Sequence, residues 1–188
     1  ITGIRRCGKT SLLYSIIEEL KNENIASDNI IFISFESPEY NLIDDFKELD
    51  EIIYEKTKNL EGKIYLFFDE IQKVNQWEKS INGYRVTLDC DIYISGSNSK
   101  LLSGELATTL AGRYVQIQVY PFSFSELLQY KIEIEGIDFS SNESIKKLFN
   151  EEYVTFGGMP GILTLKGDEM KKSALRAQKV PETGSMRT

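Results

Sequence analysis

Histidine is absent from all 188 residues, which removes histidine-based triads, imidazole acid–base pairs and most transition-metal sites. Cysteine is scarce. Cys7 and Cys90 are the only two, too few for a metal cluster or a disulfide framework. No uninterrupted apolar stretch approaches the roughly 20 residues of a membrane helix, so a soluble, cytoplasmic chain without a membrane partner is expected. Internal repeats, low-complexity segments and a signal-peptide pattern are lacking too. Cationic charge is in deficit, with 22 Lys+Arg against 29 Asp+Glu and a net charge of −7. That balance argues against strong nucleic-acid binding. Apolar residues are plentiful: 41% are hydrophobic and 11% aromatic, enough for a sizeable core.

Helical and strand patterns alternate along the first two-thirds of the chain. Leu12, Leu13, Ile16, Ile17 and Leu20 form an apolar stripe at helical spacing between Lys9 and about Glu23. The run Ile30-Ile31-Phe32-Ile33-Ser34-Phe35 is almost wholly apolar, and a second stripe follows through Leu42, Ile43, Phe46, Leu49, Ile52 and Ile53. Ile64-Tyr65-Leu66-Phe67-Phe68 is another buried-strand pattern, ended by Asp69-Glu70. A helical stretch from Trp77 to Leu88 leads to Ile92-Tyr93-Ile94-Ser95. A further one, from about Leu101 to Leu110, leads to Tyr114-Val115-Gln116-Ile117-Gln118-Val119, which alternates as a strand nearer an edge does.

Strands apolar on both faces and joined by helices imply a parallel sheet covered on both sides, an α/β three-layer fold. After Pro121 the pattern is helical. The expected organisation is an α/β core over residues 1–120, the start of a helical part over 121–165, and a basic, frayed tail over 166–188. In that tail six Lys/Arg face three Asp/Glu. Only Ile1 and Thr2 precede the first Gly-rich loop, so the first strand is expected to be truncated.

That loop, Gly3-Ile4-Arg5-Arg6-Cys7-Gly8-Lys9-Thr10, fits G-x-x-x-x-G-K-[ST], the Walker A phosphate loop, without a mismatch. Its glycines let the backbone curl so that successive N–H groups point at phosphate oxygens. Lys9 is placed for the β- and γ-phosphates and the Thr10 hydroxyl for Mg²⁺, while the helix that starts there adds its positive dipole end. The nucleotide-contacting residues expected are Gly3, Ile4, Arg5, Arg6, Cys7, Gly8, Lys9, Thr10 and Ser11.

Sixty residues after Lys9, Asp69-Glu70 closes a buried strand, the Walker B position. In parallel α/β sheets ligands bind beyond the carboxyl ends of strands. Asp69 would hold Mg²⁺ through water, and Glu70 would orient and deprotonate an attacking water. Asn98, in Gly96-Ser97-Asn98-Ser99 at the tip of the next strand, reads as a contact to the γ-phosphate and that water, or as a polar turn residue. Arg113, after Gly112, reads as an arginine finger acting on a neighbouring copy of the chain, or as a solvated residue after a helix stop.

Together these stretches resemble the AAA+ branch of P-loop ATPases and, more narrowly, the AAA-14 type of bacterial and archaeal ATPases. ITGIRRCGKTSLL, YLFFDEIQKVNQWEKSINGY, ISGSNSKLLSGELATTLAGRY, YPFSFSELL and YVTFGGMPG carry the resemblance in order. It implies the sheet order 5-1-4-3-2, with Asn98 between Lys9 and the acidic pair. It also implies ATP and Mg²⁺ as ligands, an oligomer with Arg113 acting in trans, and a client that the residues do not name. Such proteins usually continue into a C-terminal domain, often nuclease-like, and nothing after Gly161 resembles one. The expected activity is Mg²⁺-dependent ATP hydrolysis coupled to conformational change of an attached domain or partner. The alternative is a nucleotide-dependent binding module or switch with little hydrolysis. A small-molecule kinase fits less well, because the helices after Pro121 are not Arg-rich, and no N-K-x-D segment favours a GTPase.

Overall fold

The computed structural model describes residues 1–97, 110, 112–139, 141–163, 165 and 167–179. They fall into two compact units, Ile1–Val119 and Tyr120–Thr188.

The first unit runs β1 (Thr2–Gly3), α1 (Lys9–Asn22), β2 (Ile30–Ser34), α2 (Phe46–Thr57), β3 (Ile64–Asp69), α3 (Trp77–Thr87), β4 (Cys90–Ile94), β5 (Gly96–Ser97) and β6 (Gln118–Val119). All pairings are parallel. One sheet has the order β2-β3-β4 and another the order β5-β1-β6. Only Ser95 separates β4 from β5.

A strand sends alternate side chains to opposite faces, and here that alternation sorts the core. Ile64, Leu66 and Phe68 of β3 join Ile31 and Ile33 of β2 in a cluster with Leu49 and Ile53 of α2 and Trp77, Ile81 and Tyr84 of α3. Phe67 faces the other way and packs with Leu13, Ile17 and Leu20 of α1. It also stacks on Tyr93 of β4 at a centroid distance of 4.5 Å. A central strand packed on both faces therefore has to be apolar throughout, which is why its sequence shows no alternation.

Two expectations are corrected. Leu42 opens no helix and is 87% exposed. The helix begins at Phe46 because Asp45 caps it, its carboxylate accepting from the Lys47 N–H at 2.8 Å. The Tyr114–Val119 run forms a ladder only at Gln118–Val119. There it pairs with Thr2 and Gly3 of β1, while Tyr114, Val115 and Ile117 are exposed.

The second unit is helical: α4 (Phe124–Glu133), α5 (Asn142–Lys147) continuing through a π-helical turn at Leu148–Tyr153 into α6 (Val154–Phe156), then α7 (Pro160–Leu163) and α8 (Asp168–Lys179). Ser123 and Glu126 form a reciprocal capping box at the start of α4. Leu127, Leu148, Phe156, Ile162 and Leu163 are buried. Asp168–Lys179 is helical, and the ammonium of its Lys171 lies 2.5 Å from the Glu152 carboxylate. Glu152 also pairs with the buried Lys131 at 3.1 Å.

Candidate functional site

The chain leaves β1 at Gly3 and enters α1 at Lys9, and the loop between them depends on two glycines. A Cβ at Gly3 would lie 2.4 Å from the Val119 carbonyl oxygen and 2.6 Å from Cys7 Sγ, so no side chain fits. Gly8 has φ 104°, a conformation glycine adopts without a Cβ penalty, directly before the helix. Arg6 also has positive φ, 67°. Turns of this kind make successive backbone amides converge, as anion-binding nests require. Ile4, Arg5, Arg6 and Ser11 are exposed, whereas Cys7 is buried.

Lys9, the first residue of α1, is 5% exposed. Its ammonium donates to the carbonyls of Gly3 at 3.3 Å and Ile4 at 3.2 Å, and lies 3.7 Å from Glu70 Oε1. Beside it, Thr10 Oγ1 donates to Asp69 Oδ2 at 2.9 Å. The start of α1 and the strand end at Asp69-Glu70 thus meet through two side-chain contacts, 59 and 61 residues apart in sequence.

Asp69 is buried and hydroxyls surround it. Ser95 Oγ donates to Oδ1, and Ser34 Oγ approaches Oδ2 at 3.5 Å. Register explains the convergence. Ser34 of β2 lies opposite Asp69, and Ser95 follows the β4 residue opposite Phe68. Three parallel strands therefore bring a polar residue to the same carboxyl-end rim. Glu70 leaves the strand in a left-handed conformation, φ 58° and ψ 41°. Its N–H donates to Ser95 Oγ at 3.4 Å, and its Oε2 accepts from Gln72 Nε2.

Ser34, Ser95 and Gln72 were not among the sequence candidates. The two serines had a readable signal, since each closes an apolar strand run as Asp69 does. Gln72 had none, because its role depends on a turn that only the folded chain displays.

Arg113 is exposed, and its backbone N–H donates to the Leu110 carbonyl at 3.0 Å. It borders a cavity of about 640 Å³ with Arg85, Cys90 and Asp91, which Ile1 and Thr2 line as well but neither residues 3–11 nor the acidic pair do. Among the described residues, no hydrogen bond or ion pair joins its side chain to Lys9, Asp69 or Glu70. Asn98 lies outside the described residues.

The donor set fits Mg²⁺. Thr10 Oγ1 and the Asp69 carboxylate are hard oxygen donors 2.9 Å apart, and Mg²⁺ takes one or two protein ligands besides phosphate and water. Among the described residues no group of three or more Asp, Glu or Cys could hold a metal by itself.

A phosphate-type loop set against an acidic strand end on a parallel sheet defines the class of nucleotide-binding α/β domains. The chain belongs to the AAA domain family, of the AAA-14 type, whose model matches residues 1–128. The family points to a nucleotide-binding ATPase. The chain is 44% identical over 163 residues to an uncharacterized protein of Haemophilus influenzae, covering 87% of this chain and 39% of that protein. It is 36% identical over 181 residues to an uncharacterized protein of Methanocaldococcus jannaschii, covering 94% of this chain and 38% of that one. The chain therefore spans about two fifths of the length of these relatives. No solved structure matches it. Among the described residues no helix is long and apolar enough to cross a membrane.

Proposed function

We propose that this domain binds ATP with Mg²⁺ at residues 3–11 and hydrolyses it in the cytoplasm, coupling nucleotide state to movement of an attached domain or partner. The observation that supports this most directly is the pair of contacts Lys9–Glu70 and Thr10–Asp69, which joins the loop to the acidic strand end.

In this reading the backbone amides from Ile4 to Ser11 cradle the phosphates, and Lys9 exchanges the Gly3 and Ile4 carbonyls for phosphate oxygens. Thr10 and Asp69 hold the metal ion, which when bound neutralises phosphate charge. Glu70 accepts a proton from the attacking water as its oxygen bonds to the γ-phosphorus and the bond to the β-phosphate oxygen breaks, leaving ADP and inorganic phosphate. With β4 and β5 counted as one strand interrupted at Ser95, the pairings support the order 5-1-4-3-2. Asn98 would then follow that strand as the γ-phosphate contact. Residues 121–165 are read as the start of a helical lid.

Arg113, exposed and without a hydrogen bond or ion pair to the acidic pair among the described residues, is assigned to a neighbour's γ-phosphate in a homo-oligomer. Mg-ATP hydrolysis measured against protein concentration tests this. Specific activity should rise with concentration, and Arg113→Ala should abolish the rise. Tight ATP binding without turnover at any concentration would overturn the ATPase reading in favour of a nucleotide-gated switch.

A further inference from the structure

Glu70 is held from two sides. Lys9 approaches Oε1, while Gln72 Nε2 donates to Oε2. A carboxylate only accepts, so the amide must turn its N–H toward it and its carbonyl oxygen away. Gln72 sits in the 3₁₀ turn Ile71–Lys73, which follows directly from the left-handed Glu70. The turn is fixed at both ends. Lys73 N–H donates to the Glu70 carbonyl at 3.2 Å and Val74 N–H to the Ile71 carbonyl at 2.9 Å, while Ile71 and Val74 are buried in the core.

A second observation separates Gln72 from an ordinary turn residue. Its Oε1 is buried and has no hydrogen-bond partner among the described residues. Buried carbonyl oxygens are normally satisfied, because an unpaired one keeps the full cost of leaving water. Asn82 Oδ1 is a second such atom, but the amide of Gln72 directs its donor to Glu70 and leaves its acceptor open.

We infer that Gln72 is a positioning residue for Glu70, an inference that rests on the ATPase reading above. Lys9 cannot serve two partners at full strength. When it turns to phosphate oxygens, Glu70 loses its cation and would be free to change rotamer. Gln72 keeps Oε2 in place through that exchange and leaves Oε1 as the oxygen that receives the water's proton. Among the described residues no hydrogen bond or ion pair joins Gln72 to Lys9 or to the loop, so it acts on turnover and not on nucleotide affinity.

The test is Gln72→Met, which keeps the length and bulk of the side chain but removes the N–H donor, alongside Gln72→Glu, which sets a second carboxylate against Glu70. ATP affinity in Mg²⁺ and single-turnover hydrolysis are measured for both, in the intact protein. The inference expects a hydrolysis rate lowered about tenfold in Gln72→Met, the scale of one hydrogen bond to a charged group, and at least as much in Gln72→Glu. ATP affinity should stay within about twofold in Gln72→Met, which adds no charge beside Lys9 and whose retained affinity also shows that it folds. Unchanged hydrolysis in Gln72→Met overturns the inference and leaves the ATPase reading intact. Affinity falling in step with rate also overturns it, by showing a structural role. Absence of hydrolysis in the unaltered protein overturns both readings together.

Discussion

Replacing Glu70 by glutamine should separate binding from chemistry in opposite directions. The Lys9 ammonium and Glu70 Oε1 are 3.7 Å apart, with side chains 5% and 19% exposed. At that distance two unit charges attract by about 4 kcal/mol at an effective dielectric of about 20. Solvent reaching Glu70 and the desolvation of both groups reduce the net to about 1 kcal/mol. Lys9 gives up this interaction when it moves to phosphate, so the ion pair opposes nucleotide binding. Glu70→Gln removes the opposition, and ATP affinity should rise about fivefold. The same change removes the proton acceptor, and hydrolysis should fall by about 100-fold or more. Equilibrium titration with ATP in Mg²⁺ and a single-turnover measurement of phosphate release read the two effects independently. Hydrolysis within about threefold of the unaltered protein would refute the role given to Glu70. Weaker ATP binding would refute the view that Lys9 must leave Glu70 for the phosphates.

Gly3→Ala should destabilise the first unit by about 1–3 kcal/mol, because its Cβ meets the Val119 carbonyl at 2.4 Å and Cys7 at 2.6 Å; urea unfolding reads the shift. In the second unit, burial pushes the Glu152 carboxyl up, but hydrogen bonds and charge from Lys171 and Lys131 outweigh it and hold the group below its usual range. A lowered carboxyl stabilises the fold above its usual range, and that contribution is lost as pH falls through the lowered value. Burial pulls the Lys131 ammonium down, but Glu135 and Glu152 raise it further, so its contribution is complete below the usual lysine range and fades as pH rises through the raised value. Glu152→Gln should therefore destabilise the second unit by about 1 kcal/mol near neutral pH, since Lys131 keeps Glu135 and the pair is partly exposed, and flatten the acid limb of a stability–pH curve; an equally steep acid limb would refute the assignment.

The bend of the loop between β1 and α1 was legible because its geometry is local. Gly3 and Gly8 shape the backbone curl and Lys9 and Thr10 open the helix, all within eight residues. The buried strands were legible for a related reason. A strand packed on both faces must be apolar at every position, and β2 and β3 carry that mark whatever their neighbours are. Boundaries set by competition were less legible. Leu42 has the right spacing for α2, yet the Asp45 cap starts the helix three residues later. The Tyr114–Val119 alternation promises six strand residues, of which Gln118 and Val119 form the ladder with β1.

Sequence by itself determined which residues could do phosphate chemistry, because residue type and short spacing specify donors, acceptors and backbone freedom. Tertiary structure alone decided what surrounds them. Parallel register brings Ser34 and Ser95 to Asp69, and the turn after β3 places Gln72 on Glu70. These partners are 35, 26 and two residues away in sequence. The distant ones meet only because adjacent strands end at the same rim, and the near one only because Glu70 leaves the strand in a left-handed turn. Strand pairing and backbone direction are properties of the whole sheet, so no local pattern records them.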